Sequence, residues 1–345
     1  MKLFPTLLLV VLFSISSLYA QNRRLGVFSI AFYNVENLFD YEDDPDNPGD
    51  DDFTPDGAFN WTPARYEQKL DNLARVLSRL GRPDTPMGPA VIGIAEVENR
   101  RVMEDLARRP AIENMNLGVV HLDSRDRRGI DLGFFYNPGL FTVCNYRLHP
   151  VIDPEREWWV TREVMVMSGY LAGERVHFIN NHWPSRRGGV DTSRLRKLAA
   201  TAVVEVIDSI HTHHSRDAKI IIMGDFNDDP SDASISQVLG AKRHQRDVQP
   251  GGLWNPFWNM HAQGHGTLVF QGRWNLFDQI IVSHSLLGDD LSSLRFQRAE
   301  IFRQDFLIHQ TGRNRGVPFR SFQGTTFIGG YSDHLPVLIY LVREI

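Results

Sequence analysis

The chain has 345 residues, 42% of them hydrophobic and 23% charged, so it can bury a large core and is not disordered by composition. A formal charge of −5 argues against a protein that holds polyanions by bulk charge. It leaves room for a phosphate-cleaving enzyme, because a bound metal and a few local arginines can supply the positive field where it is needed.

Residues 1–20 read as an export signal. Lys2 gives a positive start, residues 7–13 (LLLVVLF) an apolar run too short to span a bilayer, and residues 14–20 a small-residue segment ending at a cleavage point after Ala20. The mature chain, 21–345, is therefore expected to be secreted or periplasmic. No repeat or low-complexity linker divides it, which predicts a single domain with no membrane span. Nothing in it calls for an obligate protein partner.

Residues 27–33 (VFSIAFY) are β-branched and aromatic and read as a buried strand. Residues 40–57 are acidic, with Pro and Gly, and read as a solvated loop. There, Asp44-x-Asp46-x-Pro48-Gly49 lacks the third ligand and terminal Glu that a calcium loop needs. A helix follows: Thr62 can cap it, Pro63 suits its first turn, Tyr66, Leu70, Leu73, Leu77 and Leu80 line one face, and Gly81 stops it. Residues 91–95 read as a strand and 99–109 as a short helix. Strands are expected at 132–136, 141–146, 164–170 and 176–180, the last two joined by a hairpin-like turn at 171–174. Asp191 can cap a long helix through Leu195, Leu198, Ala202, Val206 and Ile210. Strands at 220–223, 277–283 and 337–341 complete the pattern. The lone cysteine, Cys144, rules out an internal disulfide, and its apolar neighbours predict a buried small hydrophobe. The mix of elements predicts stacked sheets with helices outside.

The informative pattern is polar residues at the ends of apolar strands. Asn34-Val-Glu36-Asn37 follows the first strand, and Glu96-Val-Glu98-Asn99 the second. Asn180-Asn181-His182 and Gly224-Asp225-Phe-Asn227 end two more. Asp278 interrupts an apolar run, and Ser332-Asp333-His334 precedes the last strand. One carboxylate at the lip of a buried strand is usually a turn residue. Six such places suggest convergence, because the strand ends of one sheet edge meet in space and buried charge needs a metal or a partner. The donors are hard oxygens, which suit Mg²⁺ or Mn²⁺, with Ca²⁺ also possible, over zinc.

These segments resemble the endonuclease/exonuclease/phosphatase superfamily, which has the deoxyribonuclease-I-like fold. Thr161-Arg162-Glu163 and Asp278-Gln-Ile-Ile-Val-Ser also match, and the whole set runs in the family's order from residue 27 to 341. The resemblance implies an α+β fold, a four-layer α/β/β/α sandwich of two mostly antiparallel sheets with the site at one edge. It implies Glu96 as the principal metal ligand, with Asn34, Glu36 and Asp333 nearby. Asp225 would orient or deprotonate the attacking water, and Asn227 would hold a phosphate oxygen. His334, held by Asp278, would be the catalytic histidine, His182 a second one, and Arg162 a phosphate contact. The chemistry agrees: phosphoester cleavage needs neutralised oxygens, an activated water and a proton for the leaving group.

Substrate choice is less legible. A metal-dependent phosphodiesterase or nuclease acting on DNA or RNA leads, because Arg162, Arg186 and Arg187 can contact successive phosphates. The alternative is a phosphatase or phospholipase-like enzyme on a small or lipid phosphoester. A non-catalytic binding protein is disfavoured by the intact catalytic set. The segment Trp183-Pro-Ser-Arg186-Arg187-Gly-Gly reads equally as an exposed basic turn. Asp131 reads as a turn cap, and 254–258, with two tryptophans, as either a stacking surface or loop packing.

Overall fold

The computed structural model describes residues 24–345 apart from 46, 157 and 188–191. The export signal and Asp191 therefore lie outside the described residues. In chain order the strands are β1 (Leu25–Leu38), β2 (Val91–Val97), β3 (Gly118–His121), β4 (Asp131–Tyr136), β5 (Phe141–His149), β6 (Val164–Leu171), β7 (Glu174–His182) and β8 (Lys219–Asp225). They continue as β9 (Leu253–Trp254), β10 (Leu268–Phe270), β11 (Arg273–Asn275), β12 (Asp278–Ser283), β13 (Arg295–Ile301), β14 (Phe322–Gln323), β15 (Thr326–Phe327) and β16 (Val337–Glu344). The main helices are α1 (Pro63–Leu77), α2 (Arg100–Ala107) and α3 (Thr192–His213).

Two six-stranded sheets stack face to face, ordered β13-β16-β1-β2-β4-β3 and β5-β6-β7-β8-β12-β9. All their pairings are antiparallel except β1 with β2 and β7 with β8. This is the expected sandwich. Between the sheets lies a core that includes Ile30, Phe32, Phe134, Phe178, Met223 and Ile280. Leu70, Leu73 and Leu77 of α1 and Val102 and Leu106 of α2 cover the outer face of the first sheet. Val203, Val206 and Ile210 of α3 cover that of the second. Asn99 caps α2, accepting the Val102 N–H at 3.0 Å. Thr62 stands at the N-cap of α1 without a side-chain cap bond, and α1 ends at Leu77, one turn earlier than expected.

Three expectations change. Cys144 is exposed, because β5 is a sheet edge and the register slips between Val143 and Asn145, leaving Cys144 in a bulge. The acidic loop is not wholly solvated: Asp50 is buried, and Phe53 stacks on Phe39 at 4.2 Å and on Phe59 at 4.6 Å. Asn34, Glu36 and Asn37 lie inside β1 and Glu96 inside β2 and do not follow those strands, while Glu98 and Asn99 do; His182 and Asp225 end β7 and β8 as expected.

Candidate active site

The parallel pairs place the C-terminal ends of β1, β2, β7 and β8 at one edge of the sandwich. The antiparallel partners β12 and β16 begin there. Asp278 is opposite Asp225 in register, and His182 is also opposite Asp225. Local backbone makes the close approach possible. Glu36, Asn37, Glu96 and Asn227 adopt positive φ of 52°, 50°, 67° and 49°, a conformation that costs energy in any non-glycine residue and concentrates at functional sites. Gly224 lies against Asn181, whose carbonyl oxygen would stand 2.3 Å from a Cβ there, so the residue before Asp225 must be small.

At the centre is Asp225, 2% exposed. Its Oδ2 accepts from the Asn34 side-chain amide at 3.1 Å and lies 3.6 Å from His182 Nε2 and 3.8 Å from His334 Nε2. Its Oδ1 accepts the Asn227 N–H at 2.9 Å. Burial pushes the Asp225 carboxyl up to about 7; His334 works against the rise and Asp278 adds to it. The His334 Nδ1–H donates to Asp278 Oδ2 at 2.7 Å. Burial opposes charge on that ring, but Asp278 and Asp225 outweigh it and hold His334 protonated well above its ordinary range. His182 is the reverse case: burial, reinforced by Arg162, keeps it neutral.

Beside Asp225 stand the oxygen donors. Asn34 donates to Glu96 Oε1 at 3.3 Å, and the Asn37 N–H to Glu96 Oε2 at 3.0 Å. Burial would raise the Glu96 carboxyl, but the charge of Arg128 holds it down at about 2, so it is ionised. Glu36 is pushed up to about 7 by burial and by Asp333, with Arg320 and Lys69 pulling the other way. Burial also opposes charge on Asp333, yet His334 and Arg320 keep it below the usual carboxylate range. Arg320 reaches between them, 2.6 Å from Glu36 Oε1 and 3.1 Å from Asp333 Oδ2. Crowded carboxylates that draw in a guanidinium suit a hard divalent cation, and the residues present fit one. Asp225, Asp278 and His334 also converge within 4.8 Å. There the imidazole is already spent on Asp278, which makes the group a proton relay.

The structure thus brings together Asn34, Glu36, Glu96, His182, Asp225, Asn227, Asp278, Asp333 and His334. The arginines fare differently. Arg162 is buried and committed to Asp126 at 2.7 Å and to the His182 carbonyl at 3.0 Å. Arg186 is held by Asp228, Asp229 and Asp232 at 3.2, 3.4 and 2.5 Å, lies over the Phe277 ring, and donates to the Asn227 carbonyl at 2.9 Å. It braces the Gly-Asp-Phe-Asn turn and is neither a free turn residue nor a ready phosphate contact. Arg187 is exposed. Asp131 caps its loop, accepting the Ser124 N–H at 2.9 Å. Trp254 packs edge-on to Phe296, and Phe257 is buried, so that segment is loop packing.

Three residues were missed. Lys69 is buried and donates to the Glu36 carbonyl at 2.7 Å and to Ser321 at 2.6 Å. A signal existed, since Lys69 falls on the apolar face of α1 with Tyr66 and Leu73. Arg128, 3.8 Å from Glu96 Oε2, and Arg320 arrive on loops that carry no periodicity.

The endonuclease/exonuclease/phosphatase family profile matches residues 29–343. The chain belongs to that family. Its reaction class is accordingly phosphoester hydrolysis. Among solved structures it resembles an endonuclease/exonuclease/phosphatase family protein from Bacteroides thetaiotaomicron at 15% identity and TM-score 0.55, covering 94% of this chain and 97% of that one. A mannosyl-6-phosphatase from the same organism is similar at 17% identity and TM-score 0.53, covering 91% and 99%. D. rerio TDP2 complexed with a single-strand DNA product is similar at 15% identity and TM-score 0.53, covering 91% and 98%. These likenesses bear on the fold. No curated protein matches the chain in sequence.

Proposed function

We propose that the protein is a divalent-metal-dependent hydrolase of a compact phosphoester. The carrying observation is the position of Asp225, a buried carboxylate facing two histidines and joined through the Asn34 amide to Glu96. Asp225 takes a proton from the attacking water, whose oxygen bonds to phosphorus as the ester P–O bond breaks and the leaving oxygen is protonated. Protonated His334, steadied by Asp278, faces the same point and carries a donor for a phosphoryl or leaving oxygen. Asn227 sits at the turn where its N–H is tied to Asp225, fixing that carboxylate's orientation. A Mg²⁺ or Mn²⁺ ion held by Glu96, Glu36, Asp333 and Asn34 would supply charge neutralisation on the phosphoryl oxygens.

The compact substrate is supported by the cations. Arg128 and Arg320 border the carboxylate group and are partly exposed, Arg320 pairing with Glu36 and Asp333 at the site itself, whereas Arg162 and Arg186 are committed to carboxylates and carbonyls away from it. Two guanidinium groups match one phosphoryl group. A second reading, cleavage of a nucleic-acid strand, draws on exposed Arg187 and on the DNA product bound to the similar TDP2. The test is a screen of metal-loaded enzyme on p-nitrophenyl phosphate, its bis-ester, sphingomyelin, plasmid DNA and RNA, with and without chelator. Cleavage of a small ester with nucleic acid left intact supports the first reading. The reverse supports the second, and full activity in excess chelator defeats the metal in both. Export is part of the proposal: protein recovered from periplasm or medium should begin at Gln21, and intact Met1 in the cell interior would overturn it.

A further inference from the structure

β3 and β4 meet at the flank of the catalytic group, joined by residues 122–130. Next to this loop lies a cleft of about 350 Å³ bordered by the carboxylates of Asp44, Glu98, Asp123, Asp126 and Asp131. Asp126 is already spent on Arg162, and Asp131 Oδ1 on the Ser124 N–H. Behind the cleft stands His121, 6% exposed. Its Nε2 has no hydrogen-bond partner among the described residues, although Asp131 Oδ2 is 3.1 Å away. Asp123 Oδ1 lies 3.8 Å from Nδ1, and ligand atoms of His121, Asp123 and Asp131 fit within 4.8 Å of one another.

A buried imidazole nitrogen without a hydrogen bond costs on the order of 1–3 kcal/mol, so its retention calls for another partner. Two donors bound to one cation at about 2.0–2.2 Å stand roughly 2.8–3.6 Å apart, by the geometry of right-angle and tetrahedral coordination. The 3.1 Å between His121 Nε2 and Asp131 Oδ2 falls in that interval while lacking hydrogen-bond geometry. One imidazole with two carboxylates favours a borderline ion such as Zn²⁺ over Mg²⁺ or Ca²⁺, which prefer oxygen alone.

We infer that His121, Asp123 and Asp131 form a second divalent-cation site, for Zn²⁺ or a similar imidazole-binding ion, separate from the group around Glu96. Such an ion ties the end of β3 to the start of β4. It thereby anchors the loop that carries Asp126, which holds Arg162, and Arg128, which stands over Glu96. The site is structural, and it fixes the rim of the catalytic group.

The experiment uses the full chain with Glu96→Ala, which weakens the catalytic metal group, stripped of metal and titrated with Zn²⁺ by calorimetry. One micromolar or tighter site is expected, with a rise in Tm on loading. Adding His121→Ala or Asp131→Asn should weaken it by about tenfold or more, as loss of a ligand commonly does. Co²⁺ loading should give a visible absorption band that His121→Ala abolishes. Should His121→Ala fail to fold, Asp123→Asn, on an exposed side chain, carries the same expectation of weaker binding. No Zn²⁺ binding by the Glu96→Ala protein, or equal affinity with His121 or Asp123 replaced, overturns the inference.

Discussion

Asp225 and His334 exchange roles that their residue types would not have alone. The carboxylate is pushed up to about 7 by burial, and the imidazole is held protonated by Asp278 and Asp225. Because the His334–Asp278 hydrogen bond makes the two act as one unit, Asp278→Asn and His334→Ala should each lower kcat by about 10²–10⁴, and the double variant by little more. Fully multiplicative losses in single-turnover kinetics would show that they work apart. Glu96→Ala should remove most activity while leaving the circular-dichroism melt near that of the parent, if Glu96 holds the proposed metal and is not packing. This part of the site was legible because each residue sits in a short motif whose neighbours are forced, as Gly224 is by the Asn181 carbonyl. The arginines were not legible. Nothing in Ser185-Arg186-Arg187 foretells that Asp228, Asp229 and Asp232 wait across the fold for Arg186. Arg320 reaches Glu36 from 284 positions away.

Elements place these residues by where strands start and stop, and periodicity reads that well only in the interior. The cores of β1, β2, β7, β8, β12 and β16 were foreseen with polar residues at their ends, but how far β1 and β2 run was not, because strand pairing and not composition carries them past Asn34 and Glu96. The edge strands β3, β9 and β13 escaped notice, being short or half exposed. Two predictions belong at this scale. Gly224→Ala drives a Cβ to within 2.3 Å of the Asn181 carbonyl across the β7–β8 pair and should cost roughly 2–4 kcal/mol in urea unfolding. A cost under about 0.5 kcal/mol would mean the strands part easily there. The second concerns acid. His177 on β7 is buried, its Nδ1 is 2.7 Å from Ser168 Oγ, and burial and then His214 lower it to about 4. The unfolded state therefore binds the extra proton between about pH 6.5 and 4, and stability falls as pH falls through that window. His177→Gln should remove roughly 2 kcal/mol of that pH dependence, read from urea melts at pH 7 and pH 4.5. An unchanged slope would assign the acid sensitivity to other groups.

At the scale of the whole molecule, charge decides what the edge can hold. The chain carries −5, and Arg162, Arg186 and Arg320 are each paired with acids. An enzyme that follows a strand needs several free cations in a row, each releasing counterions when a phosphate is bound. On the proposed reading, Arg128 and Arg320 would serve one phosphoryl group, and Arg187 would add at most another contact. Binding of a nucleic-acid strand should therefore weaken with salt at a slope of about −1 to −3 in log K against log salt. For a small phosphoester, Arg128→Ala should lower kcat/KM by about 10–100-fold, the loss expected when a charged hydrogen bond to phosphate goes. Arg187→Ala should leave that substrate within about twofold, because Arg187 is exposed and, among the described residues, no hydrogen bond or ion pair joins its side chain to the catalytic group. Arg187→Ala that instead raises KM for DNA or RNA severalfold, together with a salt slope steeper than about −4, would mean that further cations reach the substrate. The compact-substrate reading would then give way to a nuclease whose strand path runs past Arg187 and the end of β7.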